Sequence, residues 1–357
     1  MEKIHLRRAR THTVLAAFIA LVGLVVVFPE HAHAQAPKTK ALPPRVGSPE
    51  AKPKTKGAVR LVAYNIENLF DDKDDPALSG KNEDLTSAKP AAHKQAAANA
   101  IIKLDADIIA MVEVESLEAL IEFRDQYLAG RGYDHVVSID AGDERGIENA
   151  VLSRFPIIES RNWVGMQLEG EHPEKDGNRP NEWFGKPLTF HRSPLRVTIE
   201  VPADRSSGGA PYQLTLFVVH SKSGRNFNYW REAESKGTLK LIEEFTKDHP
   251  DANIAVLGDF NAETQDDSVQ EYLRNGFADL FIDRPLDDAR SLTHASDRAI
   301  DLILYNKALA HEIIRQSRFV LGTPQLDTHA DWRTAAKPDG YASDHCPVVV
   351  DLTPSDR

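Results

Sequence analysis

The chain has a single cysteine, Cys346, in 357 residues. One thiol excludes an intramolecular disulfide, so the fold must rest on the size of its core. It also lacks any excess of positive charge: 43 basic against 54 acidic residues leave a formal net charge of −11. That argues against a protein held on nucleic acid by bulk electrostatics. It leaves room for a site that gathers carboxylates around a cation. No internal repeat is visible, and no apolar stretch reaches the ~20 residues that a membrane span needs.

The longest apolar stretch, Val14 to Phe28, instead reads as part of a leader. Arg7, Arg8 and Arg10 precede it, and Ala32-His33-Ala34 offers a cleavage signal before Gln35. Residues 1–34 are therefore expected to be a signal peptide, and the protein to be exported. An uncleaved leader would make it a membrane anchor. No cysteine follows that could carry a lipid. Removing a leader with four basic and two acidic residues takes the charge from −11 to −13. Residues 35–57 are rich in Pro, Lys and Ala without apolar periodicity, which predicts a flexible linker. Residues 58–357 remain as one large layered α/β domain.

Within that domain, alternation and β-branching predict strands at 59–64, 108–112, 150–152, 195–201, 214–219, 254–257, 300–305 and 348–352. Helical spacing covers 91–104, 117–128 and 230–248. The acidic run Asp71 to Asp75 lacks the spacing of a Ca²⁺ loop and reads as solvated loop.

Chemistry collects at the strand ends. The apolar run Ile254 to Leu257 delivers Gly258-Asp259-Phe260-Asn261, a carboxylate and an amide two residues apart. Glycine permits a tight exit there. Alone, such a tetrapeptide is more often a turn than a site. Four further margins have the same character: Asn65-Ile66-Glu67, Glu113-Val114-Glu115, His220-Ser221-Lys222 and Ser343-Asp344-His345. Asp301 sits inside the apolar run Ile300 to Leu304, where an unpaired carboxylate costs several kcal/mol. A partner such as His345 would account for it. Carboxylate and amide oxygens without thiols suit a hard cation, Mg²⁺, Mn²⁺ or Ca²⁺.

These motifs, in this order, resemble the endonuclease/exonuclease/phosphatase superfamily, which has the deoxyribonuclease I-like fold. The resemblance is carried by Tyr64 to Asp71, Ala106 to Glu113, Gly146 to Pro156, His220, Gly258 to Asn261, Ile300-Asp301 and Ser343 to Pro347. It implies a four-layer α/β/β/α sandwich and a metal-dependent phosphoesterase. It further implies that Glu113 binds the metal with Asn65 and Glu67 near it, and that Asp344 assists the metal or the histidine. His345, oriented by Asp301, would meet the scissile phosphate, and His220 would be the second histidine there. Asp259 would position or deprotonate water, and Asn261 would hold phosphate oxygens. One departure is Val112, where the family usually has Gln. Glu115 is a weaker metal candidate, placed on the face of Glu113 if the strand is regular.

Two flanking segments pair basic with aromatic residues, as a nucleic-acid contact would. One holds Arg179 and Trp183; the other holds Lys222, Arg225 and Trp230. A surface loop with partly buried rings is an equal alternative. The expectation is a nuclease acting on phosphodiesters, with nucleic acid as partner. Two alternatives stay open: a hydrolase of lipid or sugar phosphates, and a silent binding module on the same scaffold. No stable protein partner is expected, and the chain is expected to be monomeric.

Overall fold

A computed structural model describes residues 45–355, apart from 77, 80, 81, 83, 85, 286, 287 and 332. The expected signal peptide and residues 35–44 of the expected linker lie outside the described residues. Two six-stranded sheets dominate. The first contains β1 (Val59–Leu69), β2 (Ile108–Val114), β3 (His135–Ile139), β4 (Glu148–Ser153), β15 (Ile313–Val320) and β16 (Val348–Leu352). Its order is β15-β16-β1-β2-β4-β3. The second contains β5 (Ile157–Arg161), β10 (Leu195–Val201), β11 (Tyr212–His220), β12 (Asn253–Asp259), β13 (Ala278–Asp279) and β14 (Asp301–Tyr305). Its order is β13-β14-β12-β11-β10-β5. Two short ribbons, β6 (Gln167–Glu171) with β9 (Pro187–Thr189) and β7 (Lys175–Asp176) with β8 (Arg179–Pro180), interrupt the second half.

Period-two alternation explains the layering. Val59, Leu61 and Ala63 of β1 turn inward, where they join Leu216, Val218, Ala255 and Leu257 of the second sheet. Val62 and Tyr64 turn outward under α1 (Ala91–Leu104) and α2 (Leu117–Tyr127). Phe217, Val219, Ile254 and Val256 turn outward under α3 (Asn228–Asp248) and α4 (Asp267–Arg274). The result is the four-layer α/β/β/α sandwich. Each fully buried Val, Leu or Ile side chain contributes about 1.5–3 kcal/mol.

Residues 45–57 depart from the expected flexible linker. Val46 is buried in the core between the sheets. Ser48 N donates to Val320 O at 2.8 Å, and Thr55 N to Asp351 Oδ2 at 2.7 Å. The Lys52 ammonium caps Gln316 O and Arg318 O at 2.8 and 2.9 Å. Sequence composition reads this stretch as polar, but backbone pairing and one anchoring valine decide it. Beneath it Arg60, fully buried, grips Asp351 through Nε and NH2 at 2.7 and 3.1 Å. Its NH1 donates to Lys52 O and Leu104 O at 3.0 and 2.8 Å. That one guanidinium ties the segment, α1 and β16 together.

The acidic run is solvated only from residue 72 onward. Asp71 is buried. Its N–H donates to Glu115 Oε2 at 2.6 Å, and its Oδ1 accepts from Lys73 N at 2.6 Å.

Candidate active site

The strand ends of both sheets meet at one edge of the sandwich. β1 and β2 pair in parallel up to Asn65 and Val112, then lose register and resume at Leu69 and Val114. β4 skips the same residue of β2. Glu113 sits in that interruption with φ 62°, and Glu67 and Asn68 follow Asn65 with φ 55° and 52°. Asn261 has φ 49°. Four of the six non-glycine residues with positive φ, among the described residues, therefore lie at this edge. Such conformations cost about 1–3 kcal/mol each and cluster where side chains must be re-aimed. The bulge also corrects an expectation: Glu115 does not share the face of Glu113, but accepts the Asp71 N–H instead.

Asn65 is the hub. Its Nδ2 lies 3.2 Å from Glu113 Oε1, 3.1 Å from Asp259 Oδ2 and 3.3 Å from His345 Nε2. Its Oδ1 accepts from Glu67 N at 2.9 Å. The second carboxylate oxygen of Glu113 accepts from Asn68 N at 3.0 Å. Ser343 Oγ donates to Asn65 O at 2.8 Å and accepts from His345 N at 3.0 Å. This hydroxyl locks the start of β16 to the end of β1.

The second sheet contributes His220, Asp259 and Asp301, from β11, β12 and β14. His220 stands opposite Asp259, and Asp259 opposite Asp301, in the strand register. Asp301 Oδ2 lies 2.8 Å from His345 Nδ1, so the buried carboxylate has the partner its sequence setting requires. Asn261 N donates to Asp259 Oδ1 at 2.8 Å. His220 Nε2 lies 3.8 Å from Glu113 Oε1 and 3.7 Å from Asp259 Oδ2. His345 Nε2 lies 3.8 Å from both Asp259 Oδ2 and Asp344 Oδ1. These spacings exceed a direct hydrogen bond and suit groups that converge on a shared ligand.

The charges are tuned apart. Burial works against a charged His345, but Asp301, Asp344 and Asp259 outweigh it and hold its pKa well above the usual range. Burial, helped by Arg192 and His345, pushes His220 well below it. Burial raises Asp259 to about 6, with His345 opposing and Asp301 assisting. Burial also works against the Asp344 carboxylate, yet His345 and His294 hold its pKa below the usual range. The two imidazoles are thus pushed in opposite directions, His345 toward the charged form and His220 toward the neutral one, while burial lifts Asp259.

Not every expected residue joins this group. The Glu67 side chain turns to Lys337 Nζ at 3.4 Å, and the buried Lys89 ammonium donates to Glu67 O at 2.8 Å. Lys222 stands two residues beyond His220, with its ammonium 4.6 Å from the Phe227 ring and 5.6 Å from the Trp230 ring. Trp183 packs on the same two rings at 6.4 and 5.6 Å. Arg179 and Arg225 are exposed on the neighbouring turns. His294 was invisible to sequence reasoning. Its ring packs edge-on against His345 at 4.5 Å, and its Nε2 is 3.3 Å from Asp344 Oδ2. Only a Thr-His pair preceding Ile300-Asp301 marked it in the sequence, and that is no motif.

The donors fit a hard divalent cation. Glu113 and Asp344 offer carboxylate oxygens, while Asn65 turns its Nδ2 to the site and its Oδ1 to Glu67 N; the Cys346 thiol is buried and pushed up to about 11 by that burial. Oxygen donors beside a carboxylate-held histidine, at the joined ends of two packed sheets, define a metal-dependent phosphoric-ester hydrolase. The chain belongs to the endonuclease/exonuclease/phosphatase family, whose profile matches residues 62–345. Solved structures agree in fold. The human Nocturnin catalytic domain with bound sulfate is 15% identical, with a TM-score of 0.50, over 85% of this chain and 96% of that one. An endonuclease/exonuclease/phosphatase family protein of Bacteroides thetaiotaomicron is 16% identical, with a TM-score of 0.52, over 84% and 98%. A mannosyl-6-phosphatase of the same species is 16% identical, with a TM-score of 0.50, over 82% and 99%. A search among curated proteins finds no match.

Proposed function

We propose that this hydrolase is an exported nuclease that cleaves phosphodiester bonds by in-line attack of water. The observation that supports the nuclease reading is the cation–aromatic group of Lys222, Phe227 and Trp183, which begins two residues past His220 and packs on the buried Trp230. An ammonium over the Phe227 ring, with Trp183 edge-on to that ring, suits a phosphate flanked by bases. Export rests on the leader at residues 1–34.

Glu113 and Asp344, with Asn65 beside them, would hold the cation, Mg²⁺ in this reading, with Mn²⁺ or Ca²⁺ able to replace it. When bound, it neutralises phosphoryl charge and the leaving oxygen. Asp259 accepts the proton of the attacking water, a task its raised pKa of about 6 suits near neutral pH. His345 stays cationic and stabilises a phosphoryl oxygen, oriented by Asp301. His220 stays neutral and contributes a hydrogen bond rather than charge. Asn261 Nδ2 donates to Ser221 O at 3.1 Å and to Asp259 Oδ2 at 3.3 Å, and would turn the second N–H to a phosphoryl oxygen when substrate binds.

Purified mature protein is tested on plasmid DNA, RNA, bis-p-nitrophenyl phosphate, a sugar phosphate and a phospholipid, with and without EDTA. The expected result is nucleic-acid cleavage abolished by EDTA, by Glu113→Gln and by His345→Ala. Activity that survives these changes overturns the mechanism. Cleavage of the sugar phosphate or phospholipid alone overturns the substrate class. No turnover with intact Mn²⁺ binding identifies a silent binding module.

A further inference from the structure

His294 makes contacts that the reaction described above does not use. It lies on the loop between β13 and β14, next to an antiparallel bridge with His345. Ala295 N donates to Asp344 O at 2.8 Å, so the loop and the Asp344-His345 segment are joined through the backbone. Gln325 Nε2 donates to the same Asp344 oxygen at 3.2 Å.

The tautomer of His294 follows from its neighbours. Ser296 N lies 3.0 Å from His294 Nδ1. A backbone N–H can only donate, so Nδ1 is an acceptor and carries no proton. Ser296 Oγ, 2.7 Å from the same nitrogen, then donates as well. The ring proton is left on Nε2, which faces Asp344 Oδ2 at 3.3 Å. Asp344 therefore receives a directed N–H on one oxygen and presents the other to His345 Nε2, 3.8 Å away.

His294, Asp344 and His345 come close enough together to hold a metal ion. The tautomer argues against that use. A metal-ligating histidine normally donates its second ring N–H to an acceptor, whereas here the second nitrogen accepts. Nε2 has no lone pair to offer while Ser296 donates to Nδ1.

We propose that His294 is a positioning residue that orients the Asp344 carboxylate toward His345. The arrangement mirrors the dyad on the other side of the ring: Asp301 fixes His345 from Nδ1, and His294 fixes the carboxylate that faces Nε2. The proposal rests on the phosphoesterase reading of the site for its kinetic arm, and on the tautomer alone for its spectroscopic arm.

The test uses the mature chain with two substitutions. His294→Phe keeps a ring against His345 and removes the N–H. His294→Gln keeps a donor and removes the ring. With bis-p-nitrophenyl phosphate and Mg²⁺, His294→Phe is expected to lower kcat about tenfold with KM little changed, the scale seen when an orienting partner is lost. His294→Gln is expected to recover most of it, and both variants are expected to unfold at the wild-type temperature. Equal loss in the two variants, no loss in either, or a change confined to KM or to unfolding overturns the proposal. Two-bond ¹H–¹⁵N spectra give the second arm. They are expected to show the wild-type His294 ring proton on Nε2, with Nδ1 an acceptor. An Nδ1–H tautomer overturns the proposal whether or not any substrate turns over. A wild-type protein inactive on every phosphoester would overturn the functional reading, and the tautomer would still decide the role of His294.

Discussion

Gly258 and Val219 stand so close that a Cβ on the glycine would lie 2.1 Å from the Val219 carbonyl oxygen. The glycine also has φ 132°, outside the reach of ordinary side chains. This contact brings the ends of β11 and β12 together one residue before His220 and Asp259. Gly258→Ala must therefore push the strands apart where the two functional side chains are set. We expect a loss of about 2–4 kcal/mol in urea unfolding, from clash and strain combined. Wild-type stability in this variant would mean that the close approach is not required.

The Asp301–His345 pair gives a second expectation. Asp301→Asn keeps the size of the side chain but leaves His345 without a carboxylate at Nδ1. A drop in kcat of about 10²–10⁴-fold is expected, as for other histidines that lose their orienting acid. Steady-state kinetics on a phosphodiester checks it, and a loss below tenfold would contradict it.

Glu234 makes stability depend on pH. It is buried on α3, and accepts His191 N and Lys222 N, each at 2.9 Å. Burial nevertheless raises it to about 7, with those two N–H groups opposing. The sign follows from linkage. A carboxyl with a raised folded pKa binds its proton more tightly when folded. Its contribution is full below the unfolded value near 4.5 and is lost as pH rises through about 7. Wild-type stability relative to Glu234→Gln should fall by roughly 3 kcal/mol between pH 5 and 8. Parallel pH profiles of the two proteins in urea unfolding would contradict this.

Metal binding should be measurable without turnover. A cation held by the folded site alone stabilises it, by about 2.7 kcal/mol at a concentration of 100 Kd. Adding Mn²⁺ to EDTA-treated protein should raise the unfolding temperature of the wild type. Glu113→Gln should lose most of that rise. An equal rise in both would place the cation elsewhere.

The segment at residues 45–57 supplies a further expectation. A chain of residues 45–357 is the reference. Deleting 1–57 removes Val46 from the core and the Lys52 carbonyl from Arg60 NH1. A loss of about 3–5 kcal/mol in chemical unfolding is expected from burial and hydrogen bonding together. Equal stability of the two truncations would show that the segment is dispensable.

The strand ends were legible because apolar alternation stops abruptly before polar residues. Asn65, Glu113, His220, Asp259 and His345 stood at such margins and Asp301 stood out within an apolar run, and the fold brings them together. Edge strands were not legible. β3, β5 and β15 are short, or carry polar residues on both faces, and the partners of β5 and β15 lie about 30 or more residues away in sequence. The left-handed residues Glu67, Asn68 and Glu113 were hidden as well. Alternation assumes a regular strand, and a bulge breaks it without a compositional sign. His294 escaped because its importance lies in a tautomer set by Ser296, which sequence spacing does not encode.

The placement of β16 bears on the order of folding. It inserts between β15 and β1, with Leu352 opposite Val59, and His345 leads into it. Contacts so distant in sequence form slowly. Trp163, Trp183 and Trp230, three of the four tryptophans, pack in the outer layer of the other sheet, around β11, β12 and α3. Recovering fluorescence thus reports packing of that outer layer rather than arrival of the closing histidine. During refolding the emission should return first and hydrolysis last, so a chain caught between the two would look native to light while remaining inert toward phosphate esters.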